Sequence, residues 1–157
     1  MKIGLKAKRW AAFTLAEVTV ALAVIGTMGA GCYVGFNSLN TYAVSSRLYS
    51  EAQTCAQNQI DLILSKGPFD PTTNKIPTVL ALGTTTTPNV FIYTDPVSGN
   101  VVVTGTMTTT ITDTGSTMNF AGVTTNLNIR RATVTVSYTY RNTDYSVVMD
   151  TMRTADQ

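Results

Sequence analysis

FTLAEVTVALAVIGTMGAGCYVGF, residues 13–36, carries one charge, Glu17, and no proline. A run of this length exceeds the roughly 20 apolar residues that cross a bilayer as a helix. Ahead of it stands MKIGLKAKRW, whose cations Lys2, Lys6, Lys8 and Arg9 hold that end of a membrane helix in the cytoplasm. The next charge after Glu17 is Arg47. A carboxylate near the middle of a membrane costs several kcal/mol and is functional by default, so Glu17 is the first candidate site residue.

Outward from this run the composition turns mixed, yet no proline occurs until Pro68. Leu39, Tyr42, Tyr49, Ala52, Ala56, Ile60 and Ile63 recur at three- and four-residue steps, the pattern of an amphipathic helix. Nothing between Phe36 and Asn37 signals a break. The spacing predicts one helix from about Phe13 to Ser65, about 80 Å long at 1.5 Å per residue. Gly67-Pro68 and Asp70-Pro71 stop it.

Beyond Pro71 the sequence is rich in Thr, Val, Tyr and Asn. Strands are expected over 90–94 and 101–112, joined by a turn through Asp95-Pro96-Val97-Ser98-Gly99-Asn100. A second hairpin is expected from 132–140 and 145–151 around Arg141-Asn142-Thr143-Asp144. Val134, Val136, Tyr138 and Tyr140 alternate there with Thr and Ser, which gives one buried and one solvated face. Thr84 to Thr87 and Thr108 to Thr110 read as loop or edge strand. The fold class is α+β: a long N-terminal helix with a four- or five-stranded antiparallel sheet packed on its second half. The expected organisation is a basic leader (1–12), a membrane half of the helix (13–36), an amphipathic half (37–66) and a β-rich domain (67–157).

The chain has 157 residues, eleven cations, nine acids, no histidine and two cysteines. Four of the cations belong to the leader, and removing it leaves seven against nine acids, so the basicity gives no argument for nucleic-acid binding. Without histidine the usual zinc and non-haem iron ligand sets cannot be assembled. No Gly-x-Ser-x-Gly elbow or phosphate loop is present. An enzyme is not expected, and neither is a cofactor. Cys32 and Cys55 would stand about 35 Å apart on one helix, too far for a disulfide. Asp95, Asp144 and Asp150 read as solvated turn carboxylates rather than as a calcium loop, and Arg130-Arg131 as the solvated start of a strand.

Ala12-Phe13-Thr14-Leu15-Ala16-Glu17, following a basic leader and opening an apolar helix, resembles the type IV pilin and type II secretion pseudopilin family. The likeness covers roughly the first forty residues; beyond them it is one of architecture, with a softer echo of minor pseudopilins in the closing hairpin. It implies cleavage between Ala12 and Phe13 by a prepilin peptidase, guided by a leader that ends in Lys8-Arg9, and N-methylation of the new Phe13 amine. It further implies that Glu17, fifth in the mature chain, pairs with the amine of a neighbouring subunit during filament assembly. The implied partners are the peptidase, other pilin or pseudopilin subunits, inner-membrane lipid before assembly, and an inner-membrane assembly platform. The implied location is the bacterial inner membrane, N-terminus cytoplasmic, then a pilus or pseudopilus. Ala12 stands where the family usually has Gly, Gly26, Gly29, Gly31 and Gly35 occupy the region where major pilins often place a proline, and the disulfide loop of adhesive pilins is missing. These differences favour a minor pilin or pseudopilin.

Gly29-Ala30-Gly31-Cys32 also resembles the end of a bacterial lipoprotein signal. The alternative expectation is thus a lipid-anchored or secreted β-rich binding domain, cut at Cys32 or near Ala23 or Ala30. It would place Glu17 inside the signal's apolar core, where charge is disfavoured.

Overall fold

A computed structural model of the chain describes residues 14–94 and 101–156. The order is a helix α1 (Leu15–Ser65), a single 3-10 turn (Thr78–Leu80), and six strands: β1 (Gly83–Thr94), β2 (Val101–Asp113), β3 (Thr117–Phe120), β4 (Val123–Asn126), β5 (Arg130–Tyr140) and β6 (Thr143–Arg153). The unbroken helix and its end at Ser65 agree with the sequence reading. The turn expected over 95–100, Asp95 included, lies outside the described residues.

The chain divides into two compact units, one up to Ala43 and one from Val44 onward. The second holds the core. Its sheet has the order β1-β2-β5-β6 with every neighbour antiparallel, and β3 and β4 form a separate two-stranded ribbon. The helical part of this unit buries Leu48, Ala52, Ala56, Ile60 and Ile63 against Ala132, Val134, Val136 and Tyr138 of β5, Val103 and Ile111 of β2, and Val147 of β6. Spacings of four and three residues keep that stripe on one face. The two alanines let the helix backbone approach the sheet closely, while each buried Leu or Ile contributes about 1.5–3 kcal/mol.

The buried stripe differs from the expected one. Leu48, not Tyr49, enters the core, and Leu39, Tyr42 and Tyr49 are exposed. Tyr49 is one position out of phase with the buried stripe, and Leu39 and Tyr42 belong to the first unit, whereas the core lies in the second. The expected alternation in β5 holds: Ala132, Val134, Val136 and Tyr138 are buried, and the residues between them are not. Tyr138 pairs with Tyr145 across the strands, their rings stacked at 5.4 Å.

The threonine runs also fall differently. Thr84 to Thr87 lie in edge strand β1, but Thr108 to Thr110 lie in β2, an interior strand. Their partners explain it. On the face away from the helix, Thr110 stands opposite both Thr84 and Thr133, and Thr108 opposite Thr86 and Thr135. Cross-strand threonine pairs stabilise a solvated sheet face. Asp150 likewise sits within β6 rather than in a turn, accepting hydrogen bonds from Thr133 and Arg131.

Where α1 ends, the chain is tied down by its C-terminal residues. Arg153 donates through Nη1 to the carbonyls of Ile63, at 2.8 Å, and Lys66, oxygens that a helix end leaves without partners. Its Nη2 meets Asp156 Oδ2 at 3.1 Å. Asp156 accepts from Phe69 N and donates its own N–H to Phe69 O, both at 2.8 Å. Phe69 is fully buried, with the guanidinium carbons of Arg130 and Arg153 at 5.2 and 5.9 Å from its ring centroid. Arg130 is therefore not a solvated strand start. It is buried and donates to the carbonyl of Leu80.

After Phe69 the chain turns on Asp70. Its Oδ1 accepts from Thr72 N (2.9 Å) and Thr72 Oγ1 (2.6 Å), and its Oδ2 accepts from Thr73 Oγ1. These hydroxyls, that of Thr72 foremost, hold the Asp70 carboxyl down to about 2. A depressed carboxylate contributes stability that is complete above its unfolded value and is lost as pH falls through the folded one. The turn from Asp70 to Lys75 should therefore keep its amide chemical shifts down to about pH 4 and lose them toward pH 2, with Asp70 itself titrating near 2. An ordinary carboxylate midpoint for Asp70 would contradict this geometry.

Candidate functional site at the helix N-terminus

Of the site residues expected from sequence, Lys8, Arg9, Ala12 and Phe13 lie outside the described residues. Glu17 is in the first turn of α1. Thr14, just before the helix, and Glu17 form a reciprocal cap. Glu17 Oε2 accepts from Thr14 N at 2.8 Å and from Thr14 Oγ1 at 3.0 Å, while Glu17 N donates back to Thr14 Oγ1 at 3.3 Å. This is a capping box, in which two backbone N–H groups that a helix start leaves unpaired are satisfied by side chains three residues apart. The negative charge also stands at the positive end of the helix dipole. Among the described residues nothing donates to Oε1 of Glu17.

The cap was legible as Thr14-x-x-Glu17, a signal that the charge of Glu17 overshadowed. It gives the carboxylate a local role within its own chain. That role fixes the side chain along the first turn and occupies one oxygen.

Around and beyond this turn the helix is apolar on every side. Leu15, Val20, Leu22, Ile25, Met28, Val34 and Phe36 are all exposed, and no residue between Leu15 and Asn40 is buried. A helix that is hydrophobic all round needs a lipid or protein environment. The first part of α1 is long and apolar enough to cross a membrane by length and composition. Its threonine hydroxyls are satisfied internally, Thr19 Oγ1 on Ala16 O and Thr27 Oγ1 on Val24 O, both at 2.9 Å, as hydrocarbon surroundings require. Beside Gly26, Gly29, Gly31 and Gly35 there is open space.

Comparison with protein-family models, curated proteins and solved structures finds no match. The site must therefore be read from its own chemistry.

Among the described residues of the apolar helix, the groups able to react are the Glu17 carboxylate and one thiol. Cys32 is a free, exposed thiol within the helix. Cys55, also free, is half-buried in the second unit, where burial and then the Glu51 charge push its thiol up. Among the described residues no three His, Cys, Asp or Glu side chains gather as metal ligands. The described residues here form an exposed apolar helix with one oriented carboxylate in its first turn.

Proposed function

We propose that this chain is a structural subunit of a type IV pilus or a type II secretion pseudopilus, rather than an enzyme, and that it works as a minor component. The observation that carries the reading is the exposed apolar stretch of α1, which begins with a capped carboxylate in its first turn and continues unbroken to Ser65. In this reading a prepilin peptidase cuts between Ala12 and Phe13 and methylates the Phe13 amine. Loss of the leader cations frees the helix to leave the inner membrane through an assembly platform. In the filament the helices pack against one another, and the Phe13 amine of one subunit meets Glu17 of its neighbour. Glu17 Oε1 is the oxygen available for that contact, since Oε2 serves the cap.

Charge pairing in an apolar bundle sets register, because a buried charge without a partner is strongly disfavoured. Before assembly the subunit is a single-pass inner-membrane protein with its C-terminal unit outside the cytoplasm.

Processing tests this directly. Expressed with a prepilin peptidase, the chain should lose residues 1–12, and Ala12→Gly should be cut at least as fast. A precursor that stays full length beside an active peptidase and a cleaved control substrate would contradict the reading.

A further inference from the structure

The order β1-β2-β5-β6, antiparallel throughout, makes the two edge strands run in opposite directions. Copies of the chain that share one orientation, as in a membrane or a filament, can therefore stand side by side with β6 of one antiparallel to β1 of the next. Antiparallel pairing is the arrangement in which each residue finds a direct opposite.

Among the described residues no strand pairs with the outer edge of β6, and its two aspartates, Asp144 and Asp150, are both engaged by hydroxyls of β5. Proteins guard edge strands with short length, proline, bulges, a covering element or charged side chains, lysine above all. β6 has eleven residues, contains no proline, and keeps an unbroken register from Thr143 to Arg153 against β5. Its one cation, Arg153, is committed to the carbonyls at the end of α1. On the face where β2 and β5 present hydroxyls, β6 presents Val148 and Met152, 58 and 62% exposed. The β1 edge is open only in part. Gly83 to Thr87 keep regular pairing with β2, after which Pro88 and a register shift interrupt the strand.

The side chains complement each other along rows that cross the sheet. Thr84, Thr110, Thr133 and Asp150 share one level, with Thr84 bonded to Thr110 at 3.2 Å and Thr133 donating to Asp150. Thr86, Thr108, Thr135 and Val148 share the next level on the same face. Set beside an unshifted copy, Asp150 stands opposite Thr84 and Val148 opposite Thr86. Gly83 to Thr87 carry no charge, so no like charges meet. Pairing of two β6 edges would need copies in opposite orientations.

We propose that the free edge of β6 is an interface for a second copy of this chain, which adds residues 83–87 of its β1 to extend the sheet. The contact is head-to-tail, so it propagates instead of closing as a two-fold dimer. It rests on the filament reading only for the common orientation of the copies.

Disulfide trapping in membranes tests it on the full chain. With Cys32→Ser and Cys55→Ser as background, the double variant Thr86→Cys and Val148→Cys should give a ladder of oxidised multimers. The two single variants expressed together should give dimers, and each alone none, because directly opposed strand residues fall within disulfide reach. Thr84→Cys with Asp150→Cys should repeat the result and guards against misfolding of the first pair. Absence of both ladders in chains that keep the parent unfolding midpoint overturns the proposal, as does a dimer from Val148→Cys alone. Filaments without the ladder would remove the edge pairing and leave the assembly role standing. A ladder from chains that a prepilin peptidase never processes would do the reverse.

Discussion

Replacing Glu17 by Val should leave membrane insertion intact and reduce incorporation into filaments to background. Insertion depends on the apolar run and the leader cations, and loss of a charge from the run only makes it more lipid-compatible. In the proposed assembly, incorporation depends on a partner for the Phe13 amine. Since Glu17 also caps its own helix, two further variants separate the roles. Glu17→Gln keeps a side-chain acceptor in the capping box but removes the charge, and it should fail to incorporate as Glu17→Val does. Thr14→Ala weakens the cap and keeps the charge. It should incorporate, with a cost of about 0.5–2 kcal/mol to the helix start. Sheared pili or pseudopili, blotted for the variant chain, read the result. Normal incorporation of Glu17→Gln would show that the carboxylate serves only as a cap.

Phe69→Ala should destabilise the C-terminal unit by about 3–5 kcal/mol, since a fully buried aromatic of the hydrophobic core is lost and a cavity is left in its place. Arg153→Ala should cost about 1–3 kcal/mol by leaving the carbonyls at the end of α1 without their charged donor. The two share contacts, so the double variant should fall short of the sum. Urea unfolding of the detergent-solubilised full chain, followed by tyrosine fluorescence, measures all three. A loss below about 1 kcal/mol for Phe69→Ala would mean that this residue does not anchor the helix end.

These anchors show where sequence reading stops. The end of α1 was legible because Gly67-Pro68 cannot continue a helix, and β5 was legible because Val134, Val136 and Tyr138 repeat with period two. Arg130 looked like a surface charge because its partners, Phe69 and Leu80, lie 50 or more positions away in the chain. The β3–β4 ribbon escaped notice because its strands are four residues long and exposed on both faces, with only Ala121-Gly122, both at positive φ, to mark the turn. Threonine misled for a related reason. It is common in loops and in solvated strands alike, and only the ladder pairing of Thr108 and Thr110 reveals which applies.

At the candidate site the sequence carried nearly everything that the described residues hold. The run from Leu15 onward announced an apolar helix, and Thr14-x-x-Glu17 encoded its cap. The structure adds that the carboxylate is oriented by its own chain, with Oε2 engaged by Thr14 and Oε1 without a donor among the described residues.

The central claim, that Glu17 and the helix behind it form an assembly element released by cleavage at Ala12-Phe13, meets its most direct test in the mass of the mature N-terminal peptide. The account predicts a chain that starts at Phe13 and carries one N-methyl group. A diacylglyceryl group on Cys32, or an unmodified end near Ala23 or Ala30, would contradict it.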